Sequence, residues 1–389
     1  MNERQITSSL LSTAVADTTL DLFEGQYRVS NGMTYNSYLL TDEKTVLFDT
    51  ADRRVAAEWL AGVEQAAGDR GIDYLVVSHM EPDHSAALRL LADRYPAMRI
   101  VGNAKTFQMI KSFYGRDFGD RAVVVGEGDT LETGAHTIRF FMAPMVHWPE
   151  VMVSYDEADG VLFSADAFGR FGLPGDPGDW ADEARRYYIN IVGKYGSSVQ
   201  TLLKKLSGLP VKIICPLHGP VLTGDLSGYL EKYDIWSSYR PEERGVLIAY
   251  ASIYGNTASA ALRLRDMLAR RGEKRVAAVD LARSDISRAV ADAFRYDALV
   301  LAAPSYDGAV LPPMAAFLSR LKAKNWQKRT AAVIENGSWA PSAGKVMLAA
   351  LAEMKDVAVL EPMVSIRSAV SEETATKLNE LADALAARG

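Results

Sequence analysis

The sequence predicts an α/β protein of two domains, on three observations. Apolar, strand-like runs alternate with helix-spaced segments over most of the 389 residues. In the first part, metal-capable side chains recur just past the ends of apolar strands. After Tyr239-Arg240-Pro241-Glu242-Glu243-Arg244, a charged linker broken by proline, the alternation becomes regular and carries no such set. The domains are therefore read as residues 1–240 and 245–389.

Composition bounds the rest. With 48% hydrophobic and 24% charged residues, the chain is long enough for two substantial cores. A net charge of -6 and a pI near 5.6 lack the basic excess of a nucleic-acid footprint, so no nucleic acid is expected as partner. No stretch approaches the ~20 apolar residues that span a bilayer. The start, Met1-Asn2-Glu3-Arg4-Gln5-Ile6, lacks the basic-then-apolar order of a signal peptide, so a cytoplasmic protein with no membrane partner is expected. The single Cys215 excludes internal disulfides, four-cysteine iron centres and CxxC redox chemistry within the chain.

In chain order, residues 20–50 alternate apolar and polar side chains around Gly32 and Asp42-Glu43 and read as antiparallel strands. Arg53 to Ala67 has helical spacing, with Val55, Trp59, Leu60 and Val63 on one face. It leads through Gly71 into the strand Asp73–Val77 and then to Ser78-His79-Met80-Glu81-Pro82-Asp83-His84. Pro82 forbids a helix from continuing through this segment, and helical spacing resumes at Ser85. His79, Glu81 and Asp83 then occupy alternate positions of a non-helical loop and project to one side, where an imidazole and two carboxylates can converge on a pair of cations. Only five histidines exist in the chain, and two of them fall here. Helices are expected at 84–95 and 104–114, strands at 99–101 and 122–125, and a hairpin-like pair at 137–142 and 151–155.

Three further strand ends repeat the pattern. Thr137-Ile138-Arg139-Phe140-Phe141 precedes Pro144-Met145-Val146-His147-Trp148-Pro149, where two prolines exclude a regular element and a loop aims the ring. Gly160 to Ala165 ends in Asp166. Val211-Lys212-Ile213-Ile214-Cys215-Pro216-Leu217 ends in His218. His136 lies inside a strand pattern and reads as structural. Phe168 to Gly178, rich in glycine and proline, is a surface excursion or a cover beside Asp166. Helices are expected at 183–206 and 226–238.

The pattern HxExDH followed by H, D and H at strand ends resembles the metallo-β-lactamase superfamily in its flavodiiron branch. That resemblance implies an N-terminal αββα sandwich in which His79, Glu81 and His147 hold one iron, Asp83 and His218 hold a second, and Asp166 bridges them. His84 matches the motif and is assigned to the proton path, outside the ligand list. The hydrolases of the superfamily usually carry histidine where this chain has Glu81, and usually bind zinc. A third carboxylate adds hard oxygen donors and shifts preference toward iron.

The second domain is consistent with the same resemblance. Gly245 to Ala251 is a buried strand, followed by Ser252-Ile253-Tyr254-Gly255-Asn256-Thr257 and a helix from about Ala258 to Arg270. Hydroxyl, amide and free backbone N–H groups at that helix start suit a phosphate. The loop is not GxGxxG and resembles the flavodoxin phosphate loop. Two later strands run into Pro304-Ser305-Tyr306-Asp307-Gly308 and into Asn336-Gly337-Ser338-Trp339-Ala340. In a doubly wound sheet these loops share the carboxyl edge where ligands bind. Tyr306 and Trp339 are candidates to contact a flavin ring, with Gly308 and Gly337 allowing close approach.

The resemblance implies a flavodoxin-like domain with FMN, two iron ions in the first domain, and reduction of O2 to water, of NO to N2O, or both. No rubredoxin-like cysteine set occurs up to Gly389, so the electron donor is expected to be a separate rubredoxin-like protein. A head-to-tail homodimer, or a dimer of such dimers, is expected to bring flavin and iron together. Two alternatives stay open. A zinc hydrolase fused to a flavodoxin module is opposed by Glu81, and an electron carrier with a vestigial lactamase domain is opposed by the complete ligand set. Finally, Ser319 to Arg329 gathers basic residues, including Lys322, Lys324 and Lys328, with no acidic one. It reads as a solvated helix end or as a docking patch for an acidic donor.

Overall fold

A computed structural model of the chain describes residues 4–176 and 178–388; residues 1–3, Pro177 of the glycine- and proline-rich segment and Gly389 lie outside them. The chain forms two units, Met1–Tyr188 with Ser197–Asp234, and Ile189–Gly196 with Ile235–Gly389.

In the first unit, short strands with alternating apolar residues build two six-stranded sheets. One runs in the order Leu10–Ser12, Tyr38–Thr41, Thr45–Phe48, Tyr74–Val76, Arg99–Gly102, Ala122–Val124. The other runs Thr130–Glu132, Thr137–Met142, Met152–Asp156, Val161–Phe163, Ile213–Cys215, Leu222–Thr223. Leu40, Val46, Phe48, Val76 and Val101 of the first sheet share a core with Ile138, Phe140, Met152, Val161 and Phe163 of the second. The rings of Phe48 and Phe163 stack with centroids 3.7 Å apart. Intervening residues such as Leu39, Leu47 and Leu75 turn to the opposite face and are fully buried there. Trp59 of the helix Ala56–Ala67 is buried beside the first sheet, its indole N–H donating to Ser37 Oγ at 2.6 Å.

Strand direction explains how distant ligands meet. Thr137–Met142 is antiparallel to Met152–Asp156, which is antiparallel to Val161–Phe163, which is parallel to Ile213–Cys215. The strands that precede His147, Asp166 and His218 therefore run the same way and end at one edge.

The second unit is a parallel sheet in the order Val276–Asp280, Glu243–Tyr250, Tyr296–Tyr306, Arg329–Asn336, with Val357–Val359 and Val364–Ile366 both paired to the last of these. Numbered along the chain this is 2-1-3-4-5, the flavodoxin-like order, whose crevice opens beyond the first and third strands. Val246, Ile248 and Val300 pack with Leu264, Leu268, Leu378 and Leu381 of the helices Asn256–Arg270 and Glu372–Ala387. The α/β class and both domain architectures are thus as the sequence implied. No helix among the described residues is long and apolar enough to cross a membrane.

Several boundaries differ from expectation, for local reasons. Pro82 opens a helical turn, Pro82–Ser85, at the position where its missing N–H costs nothing, and the next helix is Leu88–Arg94. The single helix expected at 183–206 is two, Trp180–Ile191 and Gly196–Leu206. At Gly196 a Cβ would run into the Ser237 carbonyl, so the break is held by a close backbone approach that only glycine permits. The basic run is partly internal. Trp326 is buried and donates to the Ala293 carbonyl at 2.8 Å, and Arg329 is buried on carbonyls that include Tyr296 at 2.8 Å. Lys328 Nζ donates to the Ser238 carbonyl at 2.9 Å and Lys322 pairs with Glu353, both on the exposed surface.

The stacked pair gives a stability test for the sandwich. Phe163→Ala is expected to cost about 3–5 kcal/mol through lost burial and a residual cavity. Urea unfolding followed by far-UV circular dichroism measures it, and an unchanged midpoint would contradict the placement of this ring in the shared core.

Candidate metal centre and flavin cleft

The ligand loops are held from behind by carboxylates and carbonyls. Asp49, at the end of the strand Thr45–Phe48, accepts the N–H of Ser78 at 2.7 Å and of His79 at 3.3 Å. Burial raises its carboxyl to about 6 against these hydrogen bonds. Asp49, Met145 and Ala165 adopt positive φ of 57°, 66° and 51°, left-handed backbone at three points that aim ligands. Glu150 accepts from His79 Nδ1 and from Met80 N–H, both at 2.8 Å, and the Thr34 carbonyl accepts from His218 Nδ1 at 2.7 Å.

With the Nδ1 atoms of His79 and His218 so engaged, the Nε2 atoms face inward and form two clusters. In the first, His147 Nε2 lies 3.0 Å from Glu81 Oε2 and 3.1 Å from Asp166 Oδ2. His79 Nε2 lies 3.2 Å from Glu81 Oε2 and 3.4 Å from both His147 Nε2 and Asp166 Oδ2. In the second, His84 Nε2 is 3.0 Å from His218 Nε2, 3.1 Å from Asp166 Oδ1 and 3.3 Å from Asp83 Oδ2. His218 Nε2 is 3.2 Å from Asp83 Oδ2. A cation about 2.1 Å from each donor sets neighbouring donors about 3.0 Å apart in octahedral and about 3.4 Å in tetrahedral geometry. The observed separations are of that size. Both oxygens of Asp83 and Oδ1 of Asp166 are buried without a hydrogen-bond partner, as fits donors made for a cation.

All six metal candidates from the sequence and His84 thus come together. The backbone route differs from an extended loop with alternate residues on one side. The chain turns at Pro82, so Glu81 faces the first cluster while Asp83 and His84, on the helical turn, face the second. His84, expected in the proton path, presents Nε2 among the second set of donors. His136 lies outside both clusters, its Nδ1 2.9 Å from Asp156. Asp49, Thr34 and Glu150 escaped the sequence reading; only the carboxylate three residues past His147 offered a signal.

Charge in this pocket is finely opposed. Burial works against every ionised group, yet hydrogen bonds from His147 and His79 hold Glu81 well below the usual carboxylate range. The charges of His84 and His79 do the same for Asp166. Asp83, which burial dominates, rises to about 7. Burial also opposes charge on the histidines, but Asp166, Glu150 and Glu81 raise His79, and Asp166 and Glu81 raise His147 to about 9. Burial lowers His218. In the metal-free chain the His147 shift stabilises the fold fully below about pH 6.5, and this contribution is lost as pH rises through about 9.

The second unit carries a cleft of about 410 Å³ at the carboxyl edge of its sheet. Of the sixteen sequence candidates, fifteen line it: Ser252, Ile253, Tyr254, Asn256, Thr257, Pro304, Ser305, Tyr306, Asp307, Gly308, Asn336, Gly337, Ser338, Trp339 and Ala340. Gly255 does not, and serves the turn instead. With φ of 97° it precedes the helix Asn256–Arg270 and supplies no side-chain cap to the N–H groups of the first turn, which remain suited to an anion. Ser342 and Ser368 also line the cleft and were not foreseen. The segment expected as a loop after Ala303 is a tight hairpin: Tyr306 pairs with Ala309 across Asp307 and Gly308, both at positive φ, as an Asp-Gly turn permits. Ser305 Oγ accepts the N–H groups of Ser342 and Ala343 at 2.7 and 3.1 Å, capping the helix Ala343–Ala352. Tyr254 and Trp339 stand 96% and 84% exposed on the cleft rim, and such exposure of aromatic rings suits a planar ligand.

Fold and sites together define a two-part protein, a lactamase-like unit with paired metal clusters and a flavodoxin-like unit with an anion-ready cleft. Residues 33–219 match the family model described as ODP family beta lactamase. The chain is 28% identical to a nitric oxide reductase of Moorella thermoacetica over 98% of both chains. It is 27% identical to an anaerobic nitric oxide reductase flavorubredoxin of Vibrio vulnificus over 82% of this chain and 66% of that one. Its structure superposes on rubredoxin oxygen:oxidoreductase of Desulfovibrio gigas with a TM-score of 0.91 at 26% identity, covering 98% and 97% of the two chains. A flavo di-iron protein of Thermotoga maritima gives 0.87 at 25%, covering 97% and 95%. Over nearly its whole length the chain is thus similar to a nitric oxide reductase in sequence and to a flavo di-iron protein in fold.

Because ligands bind deprotonated, filling the first cluster must expel the protons that His79 and His147 hold at neutral pH. Anaerobic addition of ferrous iron at pH 7 is expected to release about two protons, read with a pH indicator in weak buffer. Apparent affinity is expected to rise with pH toward about 9. Loading without proton release would contradict this charge state.

Proposed function

We propose that this chain is a flavodiiron oxidoreductase that reduces O2 to water, NO to N2O, or both. One observation carries the reading: a single buried carboxylate, Asp166, directs one oxygen to each of two donor clusters. His79, Glu81, His147 and Asp166 would hold one iron, and Asp83, His84, His218 and Asp166 the other. Three carboxylates among seven donors favour iron over zinc and weigh against the hydrolase alternative. When bound, iron and FMN supply the electrons that the substrate accepts.

The chain's own residues do the rest. Trp148 sets its ring edge-on to His79 at 5.2 Å, while Phe23 and Tyr187 lie 5.4 and 5.5 Å from the His218 ring. These rings exclude water and leave an apolar surround that suits a neutral diatomic. The Tyr187 hydroxyl is buried with no hydrogen-bond partner, and burial with the nearby charges of Asp166, Glu81 and Asp83 raises it well above its ordinary value. It therefore keeps its proton at neutral pH and stands as a donor beside the donor set. His84, with Nε2 turned to the second cluster, is reassigned from proton carrier to ligand. In the second unit the N–H groups of Asn256 and Thr257 would take the FMN phosphate, and Tyr254, Tyr306 and Trp339 would cover the ring. A separate rubredoxin-like protein would donate electrons, in the cytoplasm.

Two tests follow. Iron-loaded, FMN-loaded protein, supplied anaerobically with an excess of a small chemical reductant and then mixed with O2 or NO, is expected to consume the gas over many turnovers. Asp166→Ala is expected to lose at least one iron and this turnover while keeping its flavin. Two zinc ions, hydrolase activity and no gas consumption would establish the alternative. The assembly is tested separately: the smallest active species in sedimentation is expected to be a dimer, pairing head to tail or further into a dimer of dimers, and a fully active monomer would refute it.

A further inference from the structure

The two clusters differ in what stands behind their histidines. His79 Nδ1 donates to the carboxylate of Glu150 at 2.8 Å, and Glu150 is fully buried. His218 Nδ1 donates to a neutral carbonyl, that of Thr34, at 2.7 Å. His84 Nδ1 is buried with no partner. The first cluster also holds Glu81 beside its share of Asp166, as the second holds Asp83. Of the three Nδ1 atoms, only that of His79 meets a carboxylate.

A carboxylate behind a ligating imidazole does two separable things. It fixes the tautomer and ring orientation, so Nε2 is always the inward donor, and it makes that nitrogen a stronger donor. Glu150 is built for the first, since the same oxygen, Oε1, accepts from His79 Nδ1 and from Met80 N–H, locking ring and loop backbone together. Its other oxygen, Oε2, is buried with no partner, so its charge is spent on nothing else within hydrogen-bonding reach.

Resting on the di-iron reading above, we propose that Glu150 is the positioning residue that makes the two metal sites unequal, so that the His79 site binds its cation more tightly and the His84–His218 site gives up its cation first. Glu150 touches no substrate and acts through His79. The His84 ring is the complementary feature, since no hydrogen bond fixes its Nδ1.

The experiment uses full-length, FMN-loaded protein with ferrous iron under anaerobic conditions. Iron removal by a colorimetric chelator is expected to be biphasic in the native chain, one equivalent leaving faster than the other. Glu150→Gln preserves an oxygen acceptor for both N–H groups and removes only the charge. It is expected to weaken the tighter equivalent by about 10- to 100-fold and to raise the potential at which that iron is reduced, with the weaker equivalent unchanged. Glu150→Ala, which also loses the orientation, is expected to bind a single iron. Circular dichroism and flavin content matching the native protein show that each variant is folded. A Glu150→Gln protein with native release kinetics and native iron potential overturns the proposal and leaves the di-iron reading intact. A native chain that binds no second iron overturns both.

Discussion

The arrangement depends on one carboxylate being shared. Asp166 sits at the end of a strand in the second sheet, with Oδ2 toward His79 and His147 and Oδ1 toward His84. To put a charged group there, the fold must bring four histidines and three carboxylates into a largely buried pocket, at a cost that only mutual pairing or bound cations can offset. The sandwich meets this demand geometrically. Strands of like direction end at one edge and each continues into a ligand loop, while Phe48 and Phe163 fix the separation of the two sheets behind them. A shift between the sheets would move the ligands relative to each other, so core packing and site geometry are a single problem.

Much of this was legible in the sequence, because each ligand loop is announced by the same grammar of apolar run, turn residue and metal-capable side chain. Residue identity could not reveal the route of the chain. Pro82 reads as a helix stop, yet it is equally at home in the first turn, and that choice sends Glu81 and Asp83 to different clusters. Glu150 offered only its place three residues past His147, which does not say what it touches. Its role comes from a contact with His79 across 71 positions, which only the packed loops create.

The flavodoxin-like unit divides in the same way. Regular alternation pointed to a doubly wound sheet, the structure supplies its 2-1-3-4-5 order, and the cleft gathers nearly all the residues anticipated for it. The Asp307-Gly308 hairpin was present in the sequence as a dipeptide that tolerates positive φ at both positions, but it was masked by the apparent end of the strand at Ala303. In the stretch from Ser319 to Arg329, charge counting misjudged Arg329 alone, since a guanidinium can be buried wherever enough carbonyls converge on it; Lys322 and Lys328 are exposed, as a solvated helix end requires.

The hydroxyl of Ser305 carries a mechanical implication. By accepting the N–H groups of Ser342 and Ala343, it fastens the hairpin that bears Tyr306 to the segment that follows Trp339. Ser342 Oγ returns a bond to the Ala309 carbonyl at 2.9 Å, so the two aromatic walls of the cleft are one jointed piece held by two serine side chains. Order imposed on either wall by a ligand is transmitted to the other, so the cleft should respond to its occupant as a unit, and sequence drift at one wall is constrained by what the other must still accommodate.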